Sequence, residues 1–131
     1  MIEVEVFGAE LLRSAPRFAE VRRLCVLAAA SAGVKDGHVA IEFVDSERIT
    51  RLNAEHRGKP TATDVLSFPI DGVDPLAAPR ELGDVVICPE HTVDVREAIV
   101  HGVLHLVGMD HETDDGGMLA LQDELLMRKT R

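Results

Sequence analysis

The spacing of apolar positions changes several times along the 131 residues, and each change marks an element. Ile2 to Phe7 reads I-E-V-E-V-F, a two-residue alternation that predicts a strand with one wet face. From Pro16 to Ala32, Phe18, Val21, Cys25 and Ala28 recur at helical spacing. Ser14 is placed to cap this helix, Pro16 suits its first turn, and Gly33 suits its end. A strand follows over His38 to Val44, then a short helix over Ser46 to Glu55 with Ile49 and Leu52 turned inward. Asp64 to Phe68 reads as a third strand and Asp84 to Cys88 as a fourth. Between them, Pro69 to Leu82 holds Gly72, Pro75 and Pro79 and reads as an exposed loop. A helix is expected over Val93 to Val107, with Asp94 and Glu97 spaced as a variant of the capping box and Gly108 as its stop. The last helix is expected over Gly117 to Arg128, with Met118, Leu121, Leu125 and Leu126 on its core side. The order β-α-β-α-β-β-α-α predicts one α/β (α+β) domain over residues 1–131. Its single mixed sheet of about four strands packs with helices.

Composition narrows the setting. Hydrophobic residues make up 46 % and charged residues 28 % of the chain, a balance that supports a packed core and excludes disorder along the whole length. Cys25 and Cys88 are too few for a disulfide scaffold and form no Cys-x-x-Cys, so a reducing cytoplasmic setting is expected, with Cys88 a small buried residue. No apolar run approaches the roughly 20 residues of a membrane span, and Met1 to Phe7 does not resemble a signal peptide. Four Phe with no Trp or Tyr argue against an aromatic base-stacking platform.

The chemistry concentrates in His101-Gly-Val-Leu-His105-Leu-Val-Gly108-Met-Asp-His111. His101 and His105 are four apart on a predicted helix, so their rings share one face. Gly108 allows the sharp turn that can return His111 towards them. Three imidazoles with one open position describe a catalytic zinc site, so one Zn2+ per chain is expected on a helix and the turn after it. His38 and His91 are expected to be exposed. The same spacing occurs in metzincin proteases, where Glu follows the first His as general base; here that position is Gly102, which counts against a peptidase.

Three stretches together resemble the YbeY family of rRNA-maturation endoribonucleases. They are Leu52 to Lys59 continuing into Thr63 to Pro69, Leu82 to Ile87, and the histidine run. The resemblance implies a metallohydrolase that cuts single-stranded RNA and matures the 3′ end of 16S rRNA. It also implies a role in ribosome quality control, with the ribosome or its proteins as partners and neither membrane nor DNA involved. His101, His105 and His111 match its metal ligands and Arg57 its functional arginine. Two features depart from the pattern: His56 stands where relatives carry an aromatic residue, and only Pro89 to Val100 separate the fourth strand from the metal helix.

In this reading Arg57 offers a planar fork to phosphate. Asp110 either orients a ligand histidine or takes a proton, with Glu112 as another candidate. Ser67 and Lys59 are the candidate substrate-binding residues, and Asp64 is suited to capping a turn. The rival readings are a ribosome assembly factor whose zinc only fixes the fold, and a hydrolase of another substrate. The net charge of −9 first speaks against RNA. Its layout removes the objection: Ser46 to Pro60 carries four cations against two carboxylates, net +2, which leaves −11 elsewhere.

Overall fold

A computed structural model describes residues 1–13, 16–71, 80–109 and 117–128. Four strands form one sheet in the order β1-β2-β4-β3, with β1 (Ile2–Phe7), β2 (Gly37–Phe43), β3 (Val65–Pro69) and β4 (Glu81–Ile87). β1, β2 and β4 run parallel, and β3 joins β4 antiparallel as an edge strand. The helices are α1 (Phe18–Ser31), α2 (Ser46–Arg57), α3 (Val95–Leu106) and α4 (Gly117–Arg128). The expected mixed sheet packed with helices is therefore the observed one.

Alternation along the strands sends side chains to two separate cores. Val39, Ile41, Phe43, Leu82, Val85 and Ile87 join the buried faces of α1, α3 and α4 in the larger one. Val86 and Cys88 point the other way, into a smaller core with Leu66 of β3 and Ile49 and Leu52 of α2. The helix that carries the histidine pair and the helix that carries Arg57 thus belong to different cores.

Element boundaries shift where pairing or a cap overrides composition. β4 begins at Glu81, three residues before the predicted start, because Glu81 already pairs with His38 of β2. α2 runs two residues longer, to Arg57. α1 starts at Phe18, and the expected cap Ser14 lies outside the described residues. α3 starts at Val95 because Asp94 is itself the cap: its carboxylate accepts the Arg96 N–H at 3.0 Å. Pro89–His91, ahead of it, forms a single 3-10 turn. His38 is not exposed as expected; its ring is half-buried between Glu5 (2.5 Å) and Glu81 (2.6 Å), and their carboxylates, Glu81 foremost, raise its pKa.

Candidate active site

The two histidines on α3 are held by their outer nitrogens. His101 Nδ1 donates to Gln122 Oε1 on α4 at 2.9 Å, and His105 Nδ1 donates to the Met109 carbonyl at 2.9 Å. Nδ1 therefore carries the proton in each neutral ring, and Nε2 carries a lone pair. The two Nε2 atoms face each other at 3.1 Å. Two lone pairs so close call for a cation between them. Nitrogens about 2.0–2.1 Å from a tetrahedral zinc lie roughly 3.3 Å apart, so the pair fits such an ion. The acceptors behind the rings are the outer partners that ligand histidines normally carry.

The local sequence explains this arrangement. α3 ends with the Gly108 N–H on the His105 carbonyl and the Met109 N–H on the Leu104 carbonyl, which requires the left-handed φ of 98° at Gly108. That closure brings the Met109 carbonyl under His105, so the helix stop also orients a ring. His111, Asp110 and Glu112 lie outside the described residues.

Gly102, between the two histidines, sits where α3 presses on the sheet. A Cβ there would stand 2.4 Å from Val85 Cγ1 and 3.3 Å from Ser67 Oγ. The position that holds a protease's glutamate is closed by packing here, whatever the chemistry.

The imidazole pair opens into a cleft of about 850 Å³ lined by His56, Arg57, Thr63, Asp64, all of β3, His101, His105, Gly108 and Met109. Of the expected site residues, Arg57, Ser67, His101 and His105 meet in it. Arg57 is the exposed last residue of α2, set there as the helix gives way to Gly58. Beside it, His56 packs edge-on to Phe68 with ring centroids 4.8 Å apart. Ser67 lines the wall and donates its hydroxyl proton to the Gly102 carbonyl at 3.0 Å, so its oxygen, not its proton, faces the cleft. Asp64 turns its carboxylate onto the Val65 N–H at 2.8 Å, at the entry to β3. Lys59 is exposed but does not line the cleft.

Three contributors went unread in the sequence. Gln122 is buried among the apolar residues of α4, and the signal was a polar residue at helical spacing between Met118 and Leu125. Asn53 is buried on α2 and donates from Nδ2 to the Thr61 carbonyl, tying the loop after Arg57 back to its helix. The third is a set outside the cleft: Cys88, Glu90 and His91 each place a ligand atom within 4.8 Å of the others.

Comparison with known proteins places the whole chain. The family model for endoribonuclease YbeY matches residues 17–129. The chain is 32 % identical to endoribonuclease YbeY of Macrococcus caseolyticus over 96 % of this chain and 94 % of that protein. It is 42 % identical to the Acinetobacter baylyi protein of the same name over 71 % and 70 %. The solution structure of TM1509 from Thermotoga maritima superposes with a TM-score of 0.56 at 25 % identity, over 94 % of this chain and 86 % of that one. The chain is a member of an endoribonuclease family, and that family is YbeY. Among the described residues no helix is long and apolar enough to cross a membrane.

Proposed function

We propose that this chain is a metal-dependent, single-strand-specific endoribonuclease. It works in the cytoplasm on the 3′ end of the 16S rRNA precursor and in ribosome quality control, in contact with the ribosome. The observation that carries the metal assignment is the pair of Nε2 atoms converging at 3.1 Å beside an open cleft. His101 and His105 would hold one zinc ion, with His111 completing the set. Bound there, the ion supplies a water activated near neutral pH and polarisation of a phosphoryl oxygen.

The chain's own residues do the rest. Arg57 presents its guanidinium to a phosphate and stabilises the charge that develops on it. Its place at the lip lets it follow the phosphate without crossing the cleft. Ser67 offers a hydroxyl oxygen from the wall, and Lys59 supplies long-range attraction from the rim. Asp110, beside His111, is assigned the proton. A peptidase reading fails at Gly102, where no side chain fits.

The deciding experiment gives single-stranded RNA to the purified protein before and after chelation. Cleavage should disappear with the metal and return with zinc. Equal cleavage by metal-free protein would overturn the proposal, and full metal occupancy without any RNA cleavage would favour an assembly factor.

A further inference from the structure

We propose a second metal site, for a borderline-soft divalent ion such as Zn2+ or Co2+, at Cys88, Glu90 and His91. The three residues occupy the one turn that follows β4, and their ligand atoms already lie within 4.8 Å of one another. Cys88 and His91 are three apart in Cys88-Pro89-Glu90-His91, and both are ligand types that zinc accepts. The turn is shaped for this by its backbone. The His91 N–H closes on the Cys88 carbonyl at 3.1 Å, which holds the two residues in one tight turn. The thiol proton passes to solvent as the ion binds.

The imidazole is oriented from behind as well. Ser46 Oγ, at the start of α2, lies 2.8 Å from His91 Nε2, which leaves Nδ1 for the ion. Glu90 and His91 are exposed while the thiol is buried, so the ion reaches the set from solvent and water completes its coordination. The site contains none of the residues assigned to the groove.

Cobalt titration separates the two sites, because only Cys88 can give a thiolate-to-cobalt charge-transfer band there. Cys25 is sealed in the core, with burial pushing its thiol up to about 12. The full chain carrying His105→Ala, kept reduced, silences the groove. It should show the band at about one cobalt per chain, and Cys25→Ala should retain it. Cys88→Ser should abolish the band. His91→Ala changes an exposed residue and so leaves the fold intact; it should weaken cobalt binding at least tenfold. No band in the His105→Ala protein, or a band indifferent to His91→Ala, would overturn the site.

Discussion

The two faces of the sheet make an instructive pair. One carries α1, α3 and α4 over a large core, and its histidines are fixed at the second ring nitrogen by Gln122 and Met109. The other carries α2 over a core of six buried residues and presents Arg57 at an exposed helix end. Under the proposed function the first face would need sub-ångström placement for an ion, whereas an arginine that follows a phosphate would need reach.

That comparison can be broken in five places. His105→Ala removes one member of the nitrogen pair and a support of the helix stop. RNA cleavage should fall to background and bound zinc should drop below one per chain by elemental analysis. Arg57→Ala should lower single-turnover cleavage by about 10²–10³, the cost of one charge-stabilising donor, with zinc content and melting temperature unchanged. If the two change together, the faces are not independent. Gly102→Ala forces a methyl against Val85 and should cost roughly 1–3 kcal/mol in denaturant unfolding, with register disturbed on the α3 side only.

Gln122→Leu keeps the volume but frees the His101 ring. Zinc affinity should fall about 10–100-fold while Gln122→Glu retains it. The smallest effect concerns His38. Its folded pKa lies above the unfolded value of about 6.5, so its contribution to stability is complete below that pH and is lost as pH rises through the folded pKa. The group is partly exposed, so the effect should stay under about 1 kcal/mol. Unfolding curves across that window should slope downward in the wild type and be flatter in His38→Gln.

Much of this was legible in the chain. The i, i+4 histidines and the glycine that stops their helix follow from local rules, while the helix that ends at Arg57 was read as stopping at Glu55. Two kinds of feature escaped. One was tertiary: that Glu81 starts a strand depends on His38, far away in sequence, and a loop-like composition concealed it. The other was a partner without a side-chain signature, since the Met109 carbonyl that orients His105 could belong to any residue. The Pro89–His91 turn was read as part of a connection, and Cys88 only as a small buried residue, so their meeting went unread.

β3 has one further consequence. It is the sheet's edge, and its whole length forms a wall of the cleft. An edge strand bonds its neighbour through alternate residues and turns the remaining N–H and C=O groups outward. Such a row measures spacing, not identity. Under the proposed function, a strand of RNA laid along it would meet evenly spaced backbone groups, like cloth against a ruler.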